Sequence, residues 1–262
     1  MIHTLLESNL KEKIIPILTE IINQDFIEID KIYEGMKMSK NDDNWGKTLD
    51  SDLLCDYLKP YKNCFGLGID FPIWFDWNTN KSKVMIIGRD PQRSHKDNRL
   101  IIGSPFGLAN KGGRETSKNK YWKFTEPLLE NNRVYITDVY KLYTINSLER
   151  KKLKKEKGFH YEILEKEIKA INPNKIITIG KDAQIAVSTI FKNKLENYKN
   201  DPYVRLTDSL ELFFVPHISN MVLQNFIPIA NLFLSIGKLK NNSTFEKIGI
   251  QILNEKENLF KK

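Results

Sequence analysis

Cysteine is almost missing from this chain: Cys55 and Cys64 are the two present in 262 residues. One pair cannot build a disulfide framework, and without further ligands it makes neither a zinc nor an iron–sulfur site. Two reduced thiols are expected, with no metal and no cofactor. Long apolar runs are lacking too; none approaches the roughly 20 residues that a membrane-spanning helix needs. Residues 1–24 carry Glu7, Glu12 and Glu20 and lack the basic-then-apolar order of a signal peptide. The expectation is a cytoplasmic protein, monomeric, with no membrane partner. Neither a Gly-x-Gly-x-x-Gly fingerprint nor a P-loop occurs, which argues against a dinucleotide or nucleotide enzyme. Internal repeats and low-complexity tracts are absent. Of the four histidines, His3, His95 and His160 show no ligand spacing and receive no role.

What is present begins with charge. The formal net charge is +8, and a basic excess permits binding to a polyanion by counterion release. The same excess accompanies a general richness in Lys, Asn and Ile, so charge alone says little. Leu5, Leu6, Leu10, Ile14, Ile15, Leu18, Ile21 and Ile22 recur at helical spacing and predict an N-terminal helix with a possible break at Pro16. A polar stretch, residues 37–52, precedes an aromatic cluster containing Phe65, Phe71, Trp74, Phe75 and Trp77, which reads as core rather than as a stacking platform.

The middle of the chain is more regular. Residues 84–87, 134–137, 175–179 and 212–215 are short, almost wholly apolar β-type runs, as strands covered on both faces are. Helical patterns at residues 120–130, 161–171, 182–191 and 223–234 separate or follow them. Such alternation predicts an α/β three-layer sandwich with a central, mostly four-stranded parallel sheet flanked by helices. One domain is expected, with an N-terminal helical and aromatic extension (1–80), the α/β core (81–236) and a C-terminal helical tail (237–262). The basic run at 150–157 reads as a solvated loop or helix start.

Open parallel sheets bind ligands at the carboxyl ends of their strands. Here those ends run into Gly88-Arg89-Asp90, Asp138, Gly180-Lys181 and Pro216-His217. Side by side, they would set two carboxylates and an imidazole along one cleft.

These strand ends resemble the motifs of the uracil-DNA glycosylase superfamily. Gly88-Arg89-Asp90-Pro91 is similar to the water-activating Gly-Gln-Asp-Pro-Tyr-His motif, and Gly103-Ser104-Pro105-Phe106-Gly107 to the segment carrying a stacking phenylalanine. Residues 134–138 resemble the strand that ends in a base-reading asparagine, 175–184 the strand and phosphate-contacting turn, and His217-Ile218-Ser219-Asn220-Met221 the His-Pro-Ser-Pro-Leu motif. The order holds across residues 83–235. The resemblance implies a monofunctional N-glycosyl hydrolase acting on double-stranded DNA, with the target base flipped out. Asp90 would orient or deprotonate water and stabilise the cationic sugar, and His217 would donate to the base O2, helped by backbone N–H groups at Arg89 and Asp90. Phe106 would stack on the base, with Asn110 an equal candidate for that wall. Met221 would wedge into the duplex, while Lys181, Ser219 and Asn220 would contact the strand.

Two departures fall on residues that choose the base. Asp138 stands where the family has asparagine. An ionised aspartate only accepts hydrogen bonds; it repels O4 of uracil and suits the amine of cytosine, whereas a protonated one partly mimics the amide. Gln92 stands where a tyrosine blocks 5-substituents. Together they point to cytosine or a 5-modified cytosine, as in foreign DNA. A conventional uracil enzyme and a non-catalytic DNA-binding protein of the same fold remain the alternatives. Each residue also has a bland reading: Asp90 as a turn residue before Pro91, His217 as a structural histidine, Asp138 as a cap, and Phe106 and Met221 as core.

Overall fold

A computed structural model describes residues 3–7, 9–38, 47–115, 120–191 and 203–215. The chain opens with two helices, α1 (Lys11–Leu18) and α2 (Phe26–Met38). Then come β1 (Lys47–Leu49), β2 (Leu67–Asp70), β3 (Ile73–Phe75), β4 (Ser82–Gly88) and β5 (Leu100–Gly103). After α3 (Lys111–Glu115) and α4 (Lys120–Thr125) follow β6 (Asn132–Asp138), α5 (Ser147–Lys155), α6 (Lys157–Ile171) and β7 (Lys175–Ile179). The last described elements are α7 (Lys181–Ile190), β8 (Tyr203–Thr207) and β9 (Leu210–Val215).

The four apolar runs are the parallel centre of a six-stranded sheet of order β3-β6-β4-β7-β9-β8. β4 pairs in parallel with β6 on one side and β7 on the other, and β7 with β9. Two antiparallel edge strands, β3 and β8, extend the expected four. Val84, Met85, Ile86 and Ile87 of β4 are wholly buried, as continuous apolar strands between helical layers must be. A second sheet, β1-β5-β2, is formed by segments outside the four runs, with β2 parallel to β5.

Local chemistry explains where the elements depart from expectation. The N-terminal apolar stripe is all buried from Leu6 onward, but only part of it is helical. Leu6 has φ +57° and Leu5 bridges Phe75 of β3, so the chain enters α1 late. Thr19 Oγ1 then donates to the Pro16 carbonyl at 2.7 Å where the helix ends. α2 has its own signal: Asp25 Oδ1 accepts from the Glu28 N–H at 2.9 Å, an N-terminal cap, and Ile29, Ile32, Tyr33 and Met36 face the core. The helical pattern at 120–130 breaks at Pro127, giving α4 and then a 3-10 segment at Glu126–Glu130. The basic run is helix: Asn146 Oδ1 caps α5 from the Leu148 and Glu149 N–H groups. Phe71, Trp74, Phe75 and Trp77 are core, whereas Phe65 is 56% exposed. Cys55 and Cys64 are free thiols. No described helix is long and apolar enough to cross a membrane. The expected helix at 223–234 and the tail lie outside the described residues.

Candidate functional site

The chain passes from β4 to its neighbour β6, then to β7 on the opposite side of β4. That reversal makes the carboxyl end of β4 the switch point of the sheet, where loops splay apart and leave a crevice. A cleft of about 690 Å³ opens there. Its floor and near wall come from the loop after β4, with Arg89, Asp90, Gln92 and Arg93; Ile179 at the end of β7, Asp70 at the end of β2, and Phe106 and Tyr121 complete it.

Asp90 is deep in this cleft, its side chain 5% exposed, and its Oδ2 accepts from Arg89 Nε at 3.0 Å. Arg89 is exposed, and its carbonyl accepts from the Tyr140 N–H at 3.0 Å, tying the loop to the segment after β6. Gln92 is exposed at the mouth.

Phe106 reaches the cleft through an unusual backbone. Its φ of +57° lies in the left-handed region, which a bulky side chain occupies only when its surroundings impose it. Ser104 helps impose it: its hydroxyl accepts from the Ala109 N–H at 2.9 Å and its carbonyl from the Gly107 N–H at 2.9 Å. The Phe106 ring is stacked on Tyr121, with centroids 4.0 Å apart and planes at 9°. That spacing leaves no room for a base between them. Burial and then the Asp138 charge push the Tyr121 hydroxyl up from its ordinary pKa.

Asp138 closes β6 opposite Gly88 of β4. Its residue is 3% exposed and stands one layer behind the cleft wall. A Cβ on Gly88 would sit 2.2 Å from Asp138 Oδ1 and 2.7 Å from Phe106 Cζ, so glycine is required for carboxyl and ring to meet over the strand. Burial raises the Asp138 carboxyl well above the usual range, and the charges of Asp70 and then Asp90 raise it further, while Lys141 offsets part. Asp70, which the sequence reading passed over, hydrogen-bonds to Asp138. Burial raises Asp70 too, but Arg93 opposes this by charge and hydrogen bond. The Arg93 guanidinium pairs with Asp70 Oδ1 and donates to the Ile69 carbonyl at 3.2 Å.

Behind Asp138 lies a second buried network. Lys141 Nζ donates to the Asp138 carbonyl at 2.6 Å, to Thr137 Oγ1 at 2.9 Å and to Glu167 Oε2 at 2.8 Å. His160 is part of this packing: its Nδ1 accepts from the Lys141 N–H at 3.1 Å, and burial lowers its pKa to about 3. It stays neutral, a structural histidine.

A sequence model of the uracil DNA glycosylase superfamily matches residues 75–232. The chain belongs to the uracil DNA glycosylase superfamily. The α/β fold with its largely parallel central sheet agrees. No curated protein sequence matches the chain. The superfamily span contains Asp90, Gln92, Phe106 and Asp138, which the fold gathers at one strand edge, whereas Asp70 precedes it.

Not every candidate joins them. Lys181 is exposed at the start of α7 and does not line the cleft. Asn110 does not line it either, which favours Phe106 as the aromatic wall. His217, Ser219, Asn220 and Met221 lie outside the described residues. Of the residues the sequence reading missed, Asp70 carried a signal: it ends the apolar run Leu67-Gly68-Ile69 just as Asp138 ends its own. Arg93 and Lys141 carried none.

Proposed function

We propose that this protein is a monofunctional DNA glycosylase that flips a pyrimidine out of double-stranded DNA and hydrolyses its N-glycosidic bond, leaving an abasic site. The observation that carries the reading is Asp90: a carboxylate sunk in a cleft at the sheet's switch point, in a chain of this superfamily, hydrogen-bonded by Arg89. Bond breaking leaves positive charge on the sugar and negative charge on the base. Asp90 stabilises the first and orients or deprotonates the attacking water. By the resemblance, His217 donates to the base O2, and Met221, Ser219, Asn220 and Lys181 hold the strand. Phe106 supplies a face for stacking, a contribution of roughly 1–3 kcal/mol that discriminates weakly among bases.

The base is cytosine or a 5-modified cytosine. By the resemblance, Gln92, exposed and lining the cleft, stands where a tyrosine excludes a 5-substituent. Selectivity for a modified base suits action on foreign DNA, since ordinary cytosine is a normal constituent of host DNA. A conventional uracil enzyme is the second reading: burial raises the Asp138 carboxyl well above its usual range, and a protonated carboxyl has a donor that a carboxylate lacks.

The test is base release from duplex oligonucleotides carrying uracil, cytosine, 5-hydroxymethylcytosine or its glucoside, with abasic sites cut by alkali. Release of at least one is expected, and Asp90→Asn should reduce it about 10²–10⁴-fold while duplex binding persists. Unchanged release in the variant removes Asp90 from the mechanism.

A further inference from the structure

We propose that Asp70 is a specificity-determining residue: it accepts the acid hydrogen of Asp138, so the oxygen that Asp138 turns toward a flipped base is an acceptor, and the site selects a 4-aminopyrimidine over a 4-oxopyrimidine. This rests on the glycosylase reading above and deepens it.

The geometry is that of two strand ends from two different sheets. β2 delivers Asp70 opposite Gly103 of β5, and β6 delivers Asp138 opposite Gly88 of β4. Both partners are glycines. A Cβ on Gly103 would lie 2.8 Å from Asp70 Oδ1 and 2.4 Å from an Arg93 guanidinium nitrogen, looser than the 2.2 Å of Asp138 over Gly88 but still too close for a side chain. β2 is tied to the segment after β6: the Gly68 and Tyr143 backbones exchange hydrogen bonds at 3.1 and 2.9 Å. The two carboxyls are thus held against each other, and they are hydrogen-bonded.

Two buried carboxylates in contact cannot both ionise without severe repulsion, so they share a proton. The charges around the pair say where it sits. Arg93 is ion-paired to Asp70 and favours the charged form of that partner. Asp138 faces the Asp90 and Asp70 carboxyls, with Lys141 spending its hydrogen bonds on the Asp138 carbonyl, Thr137 and Glu167. Arg89 is turned to Asp90, and Tyr121 to Phe106. The acid is Asp138 and the base is Asp70: burial raises both carboxyls, Asp138 well above the usual range, while their mutual hydrogen bond raises Asp138 and lowers Asp70.

An acid whose hydrogen is given to Asp70 has only its carbonyl oxygen left to offer. In a pyrimidine the 4-substituent lies directly opposite the glycosidic nitrogen, so it penetrates deepest when the sugar stays at Asp90. By the resemblance, Asp138 stands where that substituent is read, behind the residues that line the cleft. An amine there donates to it; a carbonyl oxygen faces a lone pair and loses a hydrogen bond. The retained proton therefore does not restore the family's amide pattern, because Asp70 has taken it. Asp70 precedes the superfamily span.

The test uses the full chain and matched duplexes carrying cytosine, 5-hydroxymethylcytosine, uracil or 5-hydroxymethyluracil. The unsubstituted enzyme should release the preferred 4-amino base at least about tenfold faster than its 4-oxo counterpart. Asp138→Asn should keep that ranking, because its amide N–H₂ donates to Asp70 and presents a carbonyl as before. Asp70→Ala combined with Asp138→Asn frees the amide to donate to O4, and the ranking should narrow or invert. An infrared band of a protonated carboxyl should be present at neutral pH and vanish in Asp138→Asn, a readout independent of turnover and of the double variant's folding. Faster release of the 4-oxo bases by the unsubstituted enzyme, inversion by Asp138→Asn alone, or absence of the band overturns the inference and leaves the glycosylase reading intact. Release of no base from any duplex overturns both the base selection and the glycosylase reading.

Discussion

Replacing Lys141 by methionine should expose how much of the site rests on one buried cation. The Lys141 side chain is 2% exposed and that of Glu167 0%, with Nζ 2.8 Å from the Glu167 carboxylate. Methionine keeps most of the stem and removes three donated hydrogen bonds, those to Glu167, Thr137 and the Asp138 carbonyl. Breaking a buried ion pair by deleting one partner costs about 3–5 kcal/mol, because the other charge stays buried and unpaired. At about 2–4 °C per kcal/mol for a chain of this size, the melting temperature should fall by roughly 6–20 °C. The sign of the pH dependence is fixed as well. Burial already raises the Glu167 pKa despite Lys141, and losing the cation raises it further. A carboxyl whose folded pKa lies above its unfolded value holds its proton in the folded state after the unfolded chain has released it. Its stabilising effect is complete below the unfolded pKa of about 4.3 and is lost as pH rises through the folded value. The variant should therefore be penalised least in acid and most at neutral pH. Urea melts from pH 4.5 to 8 measure this, and Lys141→Met with Glu167→Leu should recover most of the loss, since an apolar replacement of both partners is often neutral. A loss below about 1 kcal/mol that is flat with pH would refute the buried-pair argument.

Other perturbations bear on the cleft itself. Gly88→Ala puts a methyl 2.2 Å from Asp138 Oδ1 and 2.7 Å from Phe106 Cζ. It should cost about 1–3 kcal/mol in a urea melt, as overpacking does, and cut base release more than tenfold; a fully active variant would show that carboxyl and ring need not meet over the strand. Phe106→Ala should weaken binding of a flipped-base duplex by about 5- to 150-fold, the equivalent of roughly 1–3 kcal/mol of stacking, as read by fluorescence anisotropy. A Tyr121→Ala variant with the same loss would assign the stacking face to the outer ring of the pair. Duplex affinity should fall steeply with salt, as counterion release requires; a flat response would remove DNA as the ligand.

The centre of the fold was legible because its chemistry is local. The run from Val84 to Ile87 reads as strand at any position in any chain of this kind, and so do the ends where it meets Gly88-Arg89-Asp90. The edges were less legible. β3, Ile73–Phe75, is three aromatic and apolar residues inside an aromatic cluster, and nothing in that composition separates a packed loop from an edge strand. α1 starts late for a reason the periodicity does not carry: burial of a stripe does not require a helix along its whole length, and Leu6 at φ +57° shows the chain meeting the same core by a turn.

The site divides along the same line. Asp90, Phe106 and Asp138 were legible because each belongs to a motif contiguous in sequence. Asp70 was legible only as the end of an apolar run; its meaning lies in a contact across 68 positions of chain, between two sheets, that no local pattern encodes. The physical content of Asp138 depends on that contact. As an isolated aspartate it is an anion, complementary to an amine. Buried and protonated, it becomes an imitation of an amide. Under the proposed pairing, with its hydrogen given to an Asp70 that is ion-paired to Arg93, it is again an acceptor, now without net charge of its own. The first and third states choose the same kind of base, but the neutral acceptor avoids placing another anion beside Asp90, where the departing base also gathers negative charge. A site that must read an amine and then release an anion is better served by the acid than by its salt.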